Sequence, residues 1–262
     1  MSPTLAVESA KQSVIPYSHP ATTDKLLSLL EHEDLEGKRF LDLGAGNGYL
    51  SWKLHDFLEV RGHNPVGMIT ACDLYPEKFN FDKISCMYAD FSDRVPLDDE
   101  SFDYVFSMEV IEHVPNQLHL IRELYRLVRP GGKMFLTTPN VLNLNSRIRS
   151  LFTGTMPMFD ILPIEDNGVT GVDGHIGPIS LYYLYFFAKL TGFRTIDFHI
   201  DRSKKSATFF SPLFYAASQV CRIFHDRRRR NLPYWEENKS AARALNQWQT
   251  FVGRTIIIEA TK

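Results

Sequence analysis

The segment Phe40-Leu41-Asp42-Leu43-Gly44-Ala45-Gly46-Asn47-Gly48 constrains this chain more than any other. A short apolar run ends on glycines at alternate positions, and helical patterning begins at once, from Tyr49 to Val60. Glycines at such a junction let the backbone turn sharply and let a ligand come close, because no Cβ intervenes. The N-terminus of the following helix offers unpaired N–H groups and positive dipole to an anionic group. A dinucleotide fingerprint would read G-x-G-x-x-G, and here the third glycine comes one residue early. Taken alone, such a turn is explained equally well by structure and by ligand binding.

The rest of the chain keeps the same rhythm. A helix carrying Leu26, Leu27, Leu29 and Leu30, capped by Thr22 or Thr23, ends at Gly37. Strands are expected at Gly67 to Asp73, Ile84 to Tyr88, Phe102 to Met108 and Lys133 to Thr138. A helix from Asn116 to Val128 precedes the last of these, and Pro130-Gly131-Gly132 stops it. Strands alternating with helices at this pace imply an α/β fold, with a mostly parallel sheet covered by helices on both faces. A helix Asn143 to Phe152, a loop Thr153 to Gly177, a helix Ser180 to Leu190 and a strand Arg194 to Ile200 follow. The final strand is Arg254 to Ala260. This divides the chain into a lead-in and helix (1–36), a core (37–200), an insertion (201–253) and the last core strand (254–262). The insertion reads as two helices separated by Arg227 to Arg230 and Pro233.

Two further acids fall where the turn needs them. Asp73-Leu74 closes the second strand, where a carboxylate can accept both hydroxyls of a ribose. Asp90-Phe91 follows the third, pairing a carboxylate for an adenine amine with an aromatic ring. Ligands of open α/β sheets bind beyond the carboxyl ends of the strands, so three features in order at successive strand ends point to one nucleoside site.

From Phe40 to Pro139 the chain resembles the class I S-adenosylmethionine-dependent methyltransferases. Asp42 to Gly48 resembles their first motif, which holds the methionine part of the cofactor. Asp42, Gly44, Ala45, Gly46 and Gly48 are thereby implied as cofactor residues, with Asp73 and Leu74 at the ribose, Asp90 and Phe91 at the adenine, and Met108 beside the sulfonium. Leu127 to Gly132 resembles the turn before the family's fifth strand. The resemblance also implies a Rossmann-like seven-stranded sheet in order 3-2-1-4-5-7-6 with the last strand antiparallel. The departure is the insertion, where relatives have a tight hairpin.

The acceptor side is read less directly. Glu112 and His113 close the fourth strand, and His113 has the intrinsic pKa of a general base. A purely structural role, capping the strand and ordering the next helix, is slightly favoured. Glu109, Glu112, His113 and a distant His175 also resemble the E-x-x-E-H pattern of ubiquinone-pathway O-methyltransferases and small-RNA 2′-O-methyltransferases. The resemblance raises a divalent metal, which is not the favoured reading. Tyr182, Tyr183, Tyr185 and Phe186 are taken as an aromatic wall near the acceptor.

In the insertion, Phe209, Phe210, Leu213, Phe214, Val220, Ile223 and Phe224 precede four arginines. A lid packed on the core is modestly favoured. An interfacial helix over 209–230 touching anionic lipid is the alternative. A net charge of −2 argues against nucleic acid, and three scattered cysteines suit a reducing cytoplasm. Met1 to Gln12 lacks the basic start and apolar stretch of a secretory signal, and no apolar run nears the ~18 residues of a spanning helix. The expected function is therefore O-methylation of a small-molecule or lipid-linked acceptor. An RNA 2′-O-methyltransferase and a non-catalytic cofactor-binding subunit stay open as alternatives.

Overall fold

A sheet covered on both faces buries its strands at every position, and Phe40-Leu41-Asp42-Leu43 is buried throughout, with Asp42 its one polar residue. The computed structural model describes residues 14–162, 174–203 and 205–262, with side chains at 205–210 excepted. Its strands are β1 (Phe40–Leu43), β2 (Ile69–Asp73), β3 (Cys86–Tyr88), β4 (Phe102–Met108), β5 (Val128–Pro139), β6 (Thr195–Ile200) and β7 (Thr255–Thr261). They form one seven-stranded sheet in the order β3-β2-β1-β4-β5-β7-β6. The first five are parallel, and β7 runs antiparallel to β5 and β6. The Rossmann-like expectation holds.

Alternation along the strands sorts the core into two layers. Phe40, Tyr104, Phe106, Phe135 and Ile257 face α1 (Pro20–Leu29) and α2 (Tyr49–Val60). Rings of Phe40 and Tyr104 stack at 5.2 Å, and those of Phe106 and Phe135 at 5.4 Å. Leu41, Val105, Leu136 and Ile258 face the opposite way, toward α3 (Gln117–Leu127) and α5 (Leu181–Thr191). The period of two decides which layer each residue joins.

Three sequence expectations are corrected. Pro130-Gly131-Gly132 does not separate α3 from its strand, because β5 already begins at Val128, opposite Phe102. Pairing resumes at Lys133 with Tyr104, so residues 129–132 bulge against Asp103. The end of β7 holds that bulge, with Gly131 N–H donating to Lys262 O at 3.1 Å and Lys262 N–H to Gly132 O at 3.0 Å. Secondly, the insertion holds three helices, α6 (Lys205–Arg229), α7 (Trp235–Ala244) and the short α8 (Trp248–Val252). Thirdly, α6 does not bury its apolar stripe. Leu213, Phe214, Val220, Ile223 and Phe224 are all exposed, while Tyr215 packs inward on Trp248 and Phe251. Phe209 and Phe210, and residues 163–173 of the expected loop, lie outside what is described.

One buried amide ties the insertion to the core. Asn140, just past β5, donates to the carbonyls of Thr250 and Gly253, both at 2.9 Å, and accepts from Leu142 N–H at 2.9 Å. Leu144 of α4 (Leu144–Thr153) then packs with Phe251 and Val252. Asn140→Ala removes all three bonds at a buried position, so a loss of about 2–4 kcal/mol is expected in chemical denaturation. A loss below about 0.5 kcal/mol would show that α8 is anchored by apolar packing alone.

Candidate active site

β1 stops at Leu43 because the chain must leave the sheet there. Gly44, Gly46 and Gly48 take φ of 83°, 53° and 90°, the left-handed region that glycine alone enters without strain. A Cβ on Gly44 would overlap Cγ2 of Val110, and one on Gly46 would sit 3.0 Å from the Tyr17 ring. The turn is fastened from β2: Asp73 Oδ2 accepts Gly46 N–H and Oδ1 accepts Tyr75 N–H, both at 2.8 Å. Each carboxylate oxygen has two acceptor sites, so both keep capacity for a further donor.

Around this turn lies a cavity of about 1060 Å³. It opens where β1, β2 and β4 end, and the strand order reverses between β1 and β4. Asp42, Gly44, Ala45 and Gly46 line it from β1, and Asp73 and Leu74 from β2. Asp90, Phe91 and Met108 complete that wall. Gly48 is the exception among the expected cofactor residues. It caps α2 against Phe79 and Phe81, where a Cβ would come within 2.9 Å of Phe79.

Sequence reading missed Tyr17 and Asn47. Tyr17 lines the cavity over the glycine turn, and the Asn47 amide donates to the Ile15 carbonyl, so the lead-in is drawn across the site. An aromatic just ahead of the Pro20 helix start was the available signal. Asp42 lies beneath the turn with Ser51 Oγ donating to its carboxylate at 2.7 Å. Burial pushes its pKa up to about 7, against the Ser51 hydrogen bond and with help from the nearby Asp73 charge.

The other end of the cavity, where the acceptor is expected, is built by β4 and β5. Glu109 directly follows β4 with φ of 54° and faces the cavity, its carboxylate accepting from Thr137 Oγ1 at 3.2 Å. Burial raises its pKa to about 7. His113 also lines the cavity. Its Nδ1 lies 3.0 Å from the Gly174 carbonyl, so this nitrogen carries a proton, and in the neutral ring Nε2 carries the lone pair. His175 stands edge-on to it, ring centroids 4.7 Å apart, and burial followed by the His113 charge holds its pKa down. Glu112 does not reach the cavity. It is fully buried behind it, accepting from Thr138 Oγ1 at 3.0 Å.

Glu112, His113 and His175 offer ligand atoms within 4.8 Å of one another, but Glu109 is not part of this group. The four-residue metal set is thus not assembled, although Glu112 Oε1 and His175 Nδ1 are buried without a hydrogen-bond partner. None of Tyr182, Tyr183, Tyr185 and Phe186 lines the cavity. Tyr182 stacks on Phe186 along α5 instead.

A nucleoside-sized cavity, a left-handed glycine turn and an acid at the end of β2 occur together, and residues 18–180 match the model of a methyltransferase domain. The chain belongs to the methyltransferase-domain family. Among curated relatives, a ubiquinone biosynthesis O-methyltransferase of Xanthomonas oryzae is 36% identical over 116 residues, 41% of this chain and 45% of that protein. The 27-O-demethylrifamycin SV methyltransferase of Amycolatopsis mediterranei is 28% identical over 156 residues, 53% and 54% of the two chains. The chain thus spans about half the length of these methyltransferases. A solved S-adenosylmethionine-dependent methyltransferase of Archaeoglobus fulgidus shares the methyltransferase fold, with TM-score 0.54 and 18% identity over 92% of this chain and 94% of that one.

Burial holds Glu112 well above the ordinary carboxylate range, and the neighbouring Glu109 charge adds to this. Such an acid keeps its proton when folded and loses it when unfolded. Folding therefore becomes less favourable as pH rises from the ordinary carboxylate pKa toward the raised one. Glu112→Gln removes that penalty, so across the pH range above the ordinary carboxylate pKa the variant should gain stability relative to wild type as pH rises, in thermal melts with chelator. A variant less stable than wild type throughout that range, with the deficit growing when divalent ions are added, would mean that Glu112 serves a cation.

Proposed function

We propose that the protein transfers a methyl group from S-adenosylmethionine to an oxygen of a small or lipid-linked acceptor. The observation that carries this reading is the convergence of the glycine turn, Asp73, Asp90 and Met108 on one cavity that His113 also lines. The residues fit the cofactor on their own geometry. Gly44 and Gly46 give the cavity wall a left-handed turn, and Asp73 keeps an acceptor site on each oxygen for the ribose hydroxyls. Asp90 and Phe91 serve the adenine, and Leu74 and Met108 supply apolar walls. When bound, S-adenosylmethionine supplies a methyl group already activated for attack.

The work of the chain is then orientation and proton removal. His113, held by the Gly174 carbonyl with its lone pair on Nε2, takes the hydroxyl proton. Glu112 supports that end from behind, through Thr138 and through its own carbonyl, which accepts from Ile176 and Gly177 N–H at 3.0 Å. Two relatives whose names specify oxygen, the ubiquinone and the 27-O-demethylrifamycin SV enzymes, support an oxygen acceptor. The outward apolar face of α6 favours a lipid-linked one.

Methyl-labelled S-adenosylmethionine incubated with hydroxylated acceptors and cell-extract fractions tests this. Label should arrive on oxygen, as read from the methyl carbon shift, and His113→Ala should lose it by about 10²-fold or more. Label found on nitrogen or carbon would overturn the oxygen assignment, and no demethylated cofactor from any fraction would overturn the activity.

Binding gives two sharper expectations. Asp73→Ala loses both the ribose acceptor and the fastening of Gly46, so affinity should fall by about 2–3 kcal/mol in calorimetry. Unchanged affinity in a folded variant removes Asp73 from the site. Secondly, a cationic cofactor prefers ionised Asp42, so protons compete with it. Affinity should weaken as pH falls below about 7, approaching ten-fold per pH unit if Asp42 alone governs it. Ser51→Ala, which removes the bond favouring the ionised form, should move that midpoint upward. An affinity flat from about pH 6 to about pH 8 separates Asp42 from cofactor binding.

A further inference from the structure

Helix α6 is amphipathic the wrong way round for a lid. Between residues 212 and 224 every exposed residue is apolar. Leu213, Ala217, Val220 and Phe224 fall on one stripe at helical spacing, with Phe214 and Cys221 along its edge. The polar residues of the same stretch are turned inward. Gln219 donates to the Asn246 carbonyl at 2.7 Å, Arg222 donates to Gln219 at 2.9 Å, and Asp226 pairs with Arg222 and Arg243. Leu213 is 77% exposed and Phe224 61%. The adjoining end of α4 leaves Leu151 and Phe152 uncovered as well, at 78% and 80%.

A helix whose polar side is satisfied by its own protein and whose apolar side meets solvent is incomplete without a second apolar phase. Charge identifies that phase. Arg227, Arg228, Arg229 and Arg230 follow the apolar stripe directly, all exposed, and the exposed residues from 212 to 230 include no acid. The stripe is about 20 Å long, short of the ~30 Å hydrocarbon core. Among the described residues no helix is long and apolar enough to cross a membrane. We infer that the outward face of α6, from Leu213 to Phe224 with Arg227 to Arg230, docks on an anionic lipid surface. The apolar side chains enter the acyl boundary and the arginines meet headgroup phosphates.

This docking stands on the surface of α6 alone and holds whichever acceptor is methylated. Its test therefore uses no turnover. The full chain is floated with vesicles of phosphatidylcholine alone or mixed with phosphatidylglycerol, at low and high salt. In a Cys86→Ser background, a polarity-sensitive fluorophore on exposed Cys221 reports the environment of the face itself.

The expected result is flotation with the anionic vesicles only, reversed by salt, with a blue shift of the Cys221 label. Changing the four arginines to glutamine should cut the bound fraction by about ten-fold or more. Leu213→Asp with Phe224→Asp should abolish binding while leaving the melting temperature unchanged, because both side chains are exposed. Protein that stays unbound at low salt overturns the inference, as does flotation that these variants leave intact. Self-association without vesicles that the double variant abolishes would assign the face to a protein interface, and would overturn it too.

Discussion

The site depends on one carboxylate placed under a left-handed turn. β1 ends facing a cavity, and the chain can re-enter the fold as α2 only through backbone angles reserved for glycine. Such a turn is permissive by nature and would be loose if nothing held it. Asp73 supplies the hold from the neighbouring strand, accepting N–H groups from Gly46 and from Tyr75. The parallel pairing of β1 with β2 brings the end of one strand beside the start of the other's loop. Sheet register, turn shape and ligand acceptor are therefore one arrangement.

The buried acids around it carry a cost when no ligand is present. Asp42 and Glu109 are each pushed up to about 7, chiefly by burial. Taking a carboxylate out of water is unfavourable unless it is paired. Lining a cavity with such groups lowers the stability of the empty protein and raises its preference for a cationic ligand, which recovers the loss on binding. On the proposed reading, Asp42 is both a cost to the empty fold and a group that favours the cationic cofactor, as expected of a site whose pKa values are displaced for function.

How much of this could be read from sequence follows from what each feature depends on. The glycine turn, Asp73 and Asp90-Phe91 were legible because a backbone requirement and strand-end positions tie them to local sequence. The strand order followed from the resemblance those residues carried. The acceptor end was not legible in the same way. Glu109 is aimed into the cavity by a positive φ that nothing in its neighbours demands, and His175 reaches His113 from a distant loop. Tyr17 drapes over the turn from a lead-in whose sequence looks unstructured. The aromatic residues of α5 misled because a ring stripe looks the same whether it walls a cavity or stacks along its own helix. The outward stripe of α6 misled for a related reason: hydrophobic periodicity locates a face without saying what covers it.

The root of the insertion shows how a long segment between β6 and β7 leaves the sheet undisturbed. β6 and β7 pair without a break from Thr195–Thr261 to Ile200–Ile256, and the additional chain leaves only beyond that register. Asp201 closes the gap there. Its side chain accepts from Thr255 N–H at 3.1 Å and from Thr22 Oγ1 at 2.9 Å, and it is paired with Arg202. A loop clasped at its base can lengthen at little cost to the sheet, since closure entropy grows only slowly with length. The same clasp adjoins the acceptor end, because the charges of Asp201 and Arg202 act on Glu109, one raising its pKa and the other lowering it. The helices of the insertion are thus rooted beside Glu109 at one end of the cavity, while the glycine turn lies on the far side of β4. On the proposed reading, an insertion at this edge can bear on the acceptor and on membrane docking while the glycine turn stays as it is.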